Sequence, residues 1–158
     1  MKKLFGSIIA LGLIAHLYGL FGAAADPVRL QDFQWKKRLI VDCDLRGDKG
    51  DEKNAESLLR ILQDDEDNLR RLALVEVSPE RWVVIFAKAD GQEAMKIDEQ
   101  DRDRFVSLIQ CDAGQRVIAL IGLDGGVKQI WRDEMPSSEA VYALIDAMPM
   151  RLQEMRQD

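Results

Sequence analysis

Residues 38–44 read Arg-Leu-Ile-Val-Asp-Cys-Asp, with three consecutive apolar residues, 39–41, at the centre. An apolar run bounded by charged residues is typical of a strand buried on both faces of a sheet. A loop rich in Gly and Asp follows at 45–51. From about Glu52 to Asp65 the apolar residues fall on one face of a helix, at positions 55, 58, 59 and 62. The sequence therefore predicts a buried strand followed by an amphipathic helix.

Four more segments have the composition of strands. They are rich in apolar, β-branched and aromatic residues and lie at 72–77, 82–87, 116–122 and 127–131. Asp124, Gly125 and Gly126 separate the last two of these segments. An Asp-Gly turn between two strands predicts a β-hairpin.

Two further helices complete the predicted order of elements. Asp98 is placed to cap a helix that runs to about Gln110, and Ser137 or Ser138 is placed to cap the last one, which Pro149 stops or kinks. A strand–helix–strand start forms a parallel pair, and the later hairpin adds antiparallel strands. The predicted fold is therefore α/β, a thioredoxin-like mixed sheet with flanking helices.

The first 25 residues have the pattern of a secretory signal peptide. A basic start at residues 1–3 precedes an uncharged stretch, 4–25, that ends in three alanines. We expect cleavage after Ala25; the alternative is an uncleaved anchor, since 22 uncharged residues can span a bilayer. Both interpretations place residues 26–158 outside the cytoplasm as a single domain, in the periplasm or secreted.

Composition excludes several classes of function. The chain has 22 Lys and Arg against 28 Asp and Glu, and cleavage would remove Lys2 and Lys3, leaving a net charge of −8. This charge argues against nucleic acid as a partner. The single histidine, His16, lies in the predicted signal segment. The exported protein would therefore contain no histidine-based triad and no His-ligated zinc or haem.

No metal or cofactor site is predicted. The acidic loop 42–52 resembles a calcium loop in composition, but Arg46 and Lys53 occupy positions where the EF-hand pattern requires oxygen ligands. Met148, Met150 and Met155 have thioethers that suit Cu(I), but core packing is the simpler interpretation.

The two cysteines are the sharpest chemical feature of the chain. Cys43 lies near the end of the first strand and Cys111 just before the strand at 116–122. These two strands are neighbours and antiparallel in a thioredoxin-like sheet, so the cysteines are expected to be close. A structural disulfide, two buried thiols and a redox-active pair all remain open. A thiolate at Cys43 would need Arg46 or Arg116 to offset the adjacent carboxylates.

Two motifs near the C-terminus resemble a known family. Residues 120–128 read LIGLDGGVK and residues 144–151 read LIDAMPMR. In this order and spacing they resemble the bacterial domain-of-unknown-function family 4174, the prokaryotic relatives of the DUDES domain. The resemblance implies an exported, thioredoxin-like and distantly peroxiredoxin-like domain, without assigning catalytic residues. The motif residues singled out are Gly122, Asp124, Gly125, Gly126, Asp146, Met148, Pro149 and Met150.

The chain departs from an active thioredoxin at two places. Residues 45–48, Leu-Arg-Gly-Asp, stand where a thioredoxin has Cys-x-x-Cys, and residues 113–115, Ala-Gly-Gln, stand where it has a cis-proline. We therefore predict a non-catalytic binding or envelope-structural module whose partner is an envelope protein or a small ligand. It would contact the membrane only if the N-terminal segment is uncleaved. The alternative is a weak thiol or peroxide oxidoreductase that uses Cys43 and is resolved by Cys111.

Overall fold

The computed structural model describes residues 27–46, 52–65, 69–88 and 91–157. The predicted signal peptide or anchor, residues 1–25, lies outside these ranges, as does most of the acidic loop after the first strand. Within the described ranges, no helix is long and apolar enough to cross a membrane.

A mixed β-sheet forms the centre of the molecule. In the described residues it has six strands in the order β4-β3-β2-β1-β5-β6. Strand β1 pairs in parallel with β2 and antiparallel with β5. Strands β5 and β6 form the predicted hairpin. This is the thioredoxin-like arrangement that the sequence predicts. The strands are β1 (Arg38–Asp44), β2 (Leu72–Val77), β3 (Trp82–Lys88), β4 (Gly91–Lys96), β5 (Arg116–Ile121) and β6 (Val127–Arg132).

The helices begin where the sequence places their caps. The Asp98 side chain accepts a hydrogen bond from the Gln100 amide at 2.9 Å, and Ser137 accepts one from the Ala140 amide at 3.2 Å. The last predicted helix ends at Asp146, before Pro149, as expected, and Pro149 then opens a separate short helix in which its fixed φ suits the first turn. The helices are α1 (Glu52–Gln63), α2 (Glu99–Ile109), α3 (Ser138–Asp146) and α4 (Pro149–Glu154), preceded by a 3₁₀ turn at Leu30–Asp32.

Strand β1 is buried on both faces, as its apolar centre predicts. Leu39, Val41 and Cys43 belong to a core that also includes Phe105 of α2. Ile40 belongs to a second core that lies against the other face and contains residues of α1 and α3. Successive side chains of a strand point to opposite faces, so the apolar residues of the run pack alternately into the two cores.

Strand β4 is absent from the sequence prediction. It pairs antiparallel with β3 at the edge of the sheet, where Glu93 and Ala94 are exposed. An edge strand with an exposed surface needs no continuous apolar run, and its residues 92–96, Gln-Glu-Ala-Met-Lys, favour a helix by propensity. Backbone pairing with β3 overrides that preference.

Tyr142 joins α3 to the end of α1. Its hydroxyl donates a hydrogen bond to the Ile61 carbonyl at 2.5 Å, and the Arg70 guanidinium lies 4.2 Å from the ring centre. Burial raises the pKa of the Tyr142 phenol to about 12.

We expect tyrosinate absorbance attributable to Tyr142 to appear with a midpoint near pH 12. Because folding raises this pKa, the neutral phenol of Tyr142 contributes to the stability of the fold. This contribution is complete below the unfolded-state pKa of about 10, and it is lost as pH rises through the folded-state value. The measurement is the difference in alkaline titration between the wild type and Tyr142→Phe. A midpoint near 10 would show that Tyr142 is solvated like a free tyrosine.

Candidate functional site

Cys43 and Cys111 form a disulfide. Their Cα atoms lie 6.4 Å apart, within the limit of about 7 Å for an unstrained bridge. The two residues are 0% and 3% exposed. Of the three alternatives that the sequence leaves open, the structure contains the bonded pair, and it places both sulfurs inside the core.

Local structure explains why the two cysteines meet. Cys43 stands opposite Val117 of β5 and opposite Val77 of β2 in the sheet. Helix α2 ends at Ile109, and the next residue, Gln110, adopts the left-handed conformation with φ 54°. The Cys111 amide then donates to the Val106 carbonyl at 3.0 Å. This turn brings Cys111 back towards the sheet, so the disulfide ties the end of α2 to the central strand.

The charged residues next to Cys43 in β1 lie on the face of the strand opposite to the Cys43 sulfur. Asp42 and Asp44 alternate with Cys43 along β1 and therefore point to the opposite face. Arg116 forms a two-pronged pair with Asp42, with both N···O distances at 2.8 Å. Arg46 donates to Asp44 at 2.6 Å and holds the pKa of that carboxyl below its usual value. Both arginines thus pair with carboxylates, whereas the oxidoreductase hypothesis required them to favour a Cys43 thiolate.

The two sequence motifs meet at one cavity. It has a volume of about 240 Å³ and lies between the β5–β6 turn and the junction of α3 and α4. The first motif contributes Gly122 and Asp124, and the second contributes residues 148–150. Arg38, at the start of β1, also lines it. The motifs are therefore neighbours in space, which the sequence alone does not show.

Hydrogen bonds and backbone geometry explain the first motif. Asp124 accepts a hydrogen bond from the Gly126 amide at 3.0 Å and pairs with Lys128 at 2.7 Å. A Cβ at Gly122 would collide with the Lys128 side chain and with the Asp124 carboxylate. Gly125 has φ 80°, which favours glycine. The glycines therefore allow Lys128 to lie across the turn and reach Asp124.

Arg38 is the buried charge of this region. It is 1% exposed. Its Nη1 donates to the Arg70 carbonyl at 3.0 Å, and its Nη2 pairs with Glu154 at 3.3 Å. Glu154 also pairs with Arg71, and with Arg151 at 3.3 Å. A buried guanidinium needs such partners, because an isolated buried charge is strongly unfavourable.

Asp146 of the second motif extends the same network. It pairs with Arg70 at 2.7 Å and lies 3.6 Å from Arg151. Arg70 also pairs with Asp65 at 3.3 Å. Four arginines (38, 70, 71 and 151) thus face three carboxylates (65, 146 and 154). We call this set the arginine cluster; it carries one more positive than negative charge.

The arginine cluster is not visible in the sequence. Arg38 and its partner Glu154 are 116 positions apart, and Arg38 and Arg70 are 32 apart. Only the i, i+3 spacing of Arg151 and Glu154 is visible in the sequence, where it suggests an ordinary helical pair. In the described part of the chain, no group of three or more His, Cys, Asp or Glu side chains could hold a metal ion.

Comparison with known families places the chain. Residues 29–154 match the family described as Domain of unknown function (DUF4174). The chain belongs to this family. The match runs from just before the 3₁₀ turn to the end of α4 and so includes the disulfide, both motifs and the arginine cluster.

No curated protein matches this DUF4174 chain. Among solved structures, it is similar to the thioredoxin domain of a thiol-disulfide oxidoreductase from Bacteroides vulgatus. The sequence identity is 16%, the TM-score is 0.45, and the match covers 72% of this chain and 81% of that one.

We expect Lys128→Gln to raise the pKa of Asp124 towards its usual value. The hydrogen bond from Lys128 is the largest cause that lowers this pKa, and the bond from the Gly126 amide is the next. Because folding lowers this pKa, the ionised Asp124 carboxylate stabilises the fold at pH values above its unfolded-state pKa. This stabilisation is lost as pH falls through the folded-state pKa. NMR titration of the Asp124 carboxyl measures the shift. Lys128→Arg is the control and should keep the pKa low; an unchanged pKa in Lys128→Gln would contradict the assignment.

Proposed function

We propose that this DUF4174 chain is an exported, non-catalytic thioredoxin-like module that binds an envelope partner or a small ligand. Residues 26–158 would form its single domain, released by signal cleavage or held at the membrane by the N-terminal segment. The observation that carries the proposal is the burial of the Cys43–Cys111 disulfide, with residue exposures of 0% and 3%.

Burial of both sulfurs argues against redox turnover. Thiol–disulfide exchange requires a thiolate to approach a sulfur atom from solution, and reactive cysteines lie in electropositive, partly exposed sites. Cys43 and Cys111 instead lie in the core that contains Phe105 and Ile109. The residues between β1 and α1, where a thioredoxin has its cysteine motif, contain no cysteine. A structural use of the disulfide is therefore favoured over the thiol or peroxide oxidoreductase alternative.

The same disulfide supports export. Disulfides persist in oxidising compartments such as the periplasm and the extracellular space, and they are rare in the cytosol. A domain of this size also has enough core to fold with modest help from cross-links. The predicted signal segment and the disulfide thus point, by independent routes, to a periplasmic or secreted protein.

We expect the double variant Cys43→Ala/Cys111→Ala to keep its fold and to lose roughly 4 kcal/mol of unfolding free energy. The bridge closes a loop between residues 68 positions apart, and cross-linking such a loop removes entropy from the unfolded chain. Urea unfolding of the oxidised wild type and of the variant measures the difference. Wild type and variant should show equal, background rates of peroxide consumption and of disulfide reduction.

The single variant Cys43→Ala is the matched control for this experiment. It removes the bridge but leaves a thiol at Cys111, and it should resemble the double variant in stability, which would show that the Cys111 side chain by itself contributes little. Peroxide or disulfide turnover by the wild type that disappears in Cys43→Ala would overturn the proposed function in favour of the oxidoreductase.

A further inference from the structure

A separate cavity lies beside the arginine cluster, between the residues that precede β2 and the end of α4. It has a volume of about 250 Å³, and the described residues that line it are Leu69, Arg71, Arg151, Glu154 and Gln157. Leu69 supplies an apolar wall, and the other four side chains are polar or charged. The lining suits a small polar guest, since sites for drug-sized ligands are mostly apolar and occupy roughly 300–1,000 Å³.

Arg71 has donors to spare in this lining. Its Nη2 donates to Glu154, whereas its Nε and Nη1 have no partner among the described residues. The Arg71 side chain is 40% exposed, and neither Nε nor Nη1 is buried. A guanidinium presents two edges that each carry two parallel N–H groups, so a single bond to Glu154 leaves one full edge for an acceptor.

Arg151 and Gln157 add further donors. Arg151 donates to Glu154 through Nη1 at 3.3 Å, and its Nε is buried. Its Nη2 is not buried and has no partner in the described part of the chain. Gln157 is exposed, and its side-chain amide has no partner among the described residues either. Three side chains from two separate segments thus provide accessible N–H groups around one cavity.

The charge around Glu154 is positive. Arg38, Arg71 and Arg151 all pair with this one carboxylate. Burial lowers the pKa of Arg38, Glu154 raises it, and the charges of Arg71 and Arg151 lower it again, so the three guanidiniums repel one another. The other members of the arginine cluster reduce the excess of the whole set to one positive charge, but none of them lines the cavity. An anion in the cavity would offset this excess.

The number of donors favours a tetrahedral oxoanion over a carboxylate. A carboxylate has two oxygens in one plane, and a single edge of Arg71 satisfies both. A phosphate group has further oxygens outside that plane, which can accept from Arg151 and Gln157 as well.

We propose that this cavity binds a phosphate group, with two oxygens on the free edge of Arg71 and the others on the Arg151 Nη2 and the Gln157 amide. The proposal rests on the proposed function and gives the binding module its ligand class. The group is either free inorganic phosphate or part of a small phosphorylated molecule, since both present the same oxygens to the cavity.

The test uses the full chain, purified as the cell processes it, in a phosphate-free chloride buffer of constant ionic strength. Calorimetry and the NMR signal of the Arg71 Nε–H follow titrations with inorganic phosphate and with acetate. We expect a dissociation constant below about 1 mM for phosphate, with the Arg71 signal shifted, and at least about tenfold weaker binding of acetate. A titration with glycerol phosphate distinguishes the sources: tighter binding than that of the free ion indicates a phosphorylated molecule, and weaker binding indicates the free ion.

The first variant and its matched control remove one arginine each. Arg71→Gln removes the free edge, while Arg38 and Arg151 still pair with Glu154. Arg81→Gln makes the same charge change at an arginine that also pairs with a single glutamate but does not line the cavity. We expect about tenfold weaker phosphate binding in Arg71→Gln and unchanged binding in Arg81→Gln.

The second pair adds a negative charge at an exposed leucine, where folding tolerates it. Leu69→Glu places a carboxylate in the lining, where it repels phosphate, and Leu108→Glu places one on α2, away from the cavity. We expect about tenfold weaker binding in Leu69→Glu alone.

The outcomes separate this inference from the proposed function. Weaker binding confined to Arg71→Gln and Leu69→Glu supports the phosphate site, and Leu69→Glu alone decides it if Arg71→Gln fails to fold. No phosphate binding by the wild type, acetate binding as tight as phosphate binding, or equal weakening in the controls overturns the site. None of these results changes the assays for cysteine-dependent turnover, which test the proposed function.

Discussion

Burial of β1 on both faces is the constraint on which the rest of the structure depends. The strand lies between β2 and β5, and separate cores cover its two faces. The polar groups that it buries therefore need partners inside the protein. Cys43, near one end of the strand, bonds to Cys111, and Arg38, at the other end, pairs with Glu154 and with the Arg70 carbonyl.

The two ends of β1 consequently differ in what they can do chemically. At the Cys43 end the sulfurs are bonded to each other, and the carboxylates on the opposite face are neutralised by Arg46 and Arg116. At the Arg38 end the guanidinium is held by Glu154 and the Arg70 carbonyl, and its buried Nε has no acceptor among the described residues. The thioredoxin-like sheet of the DUF4174 chain therefore has a cross-linked end at Cys43 and a buried, ion-paired end at Arg38.

Local patterns predict much of the fold, and long-range contacts account for what they miss. The apolar centre of β1 and the caps Asp98 and Ser137 are visible in the sequence because each depends on neighbouring residues. The proximity of the two cysteines follows from strand order, but their bonding state does not. The edge strand β4 has no apolar pattern, and the partners of Arg38 come from distant segments. The convergence of the two motifs on one cavity is likewise a property of the folded chain.

We propose that the Cys43–Cys111 disulfide is structural because it is buried. The most direct measurement is its rate of reduction by a small thiol at increasing urea concentrations, followed by alkylation and mass spectrometry. We expect negligible reduction of the folded protein and a rate of reduction that rises in parallel with the unfolded population. Rapid reduction of the fully folded protein, independent of urea, would contradict it and would show that the sulfurs are accessible for exchange.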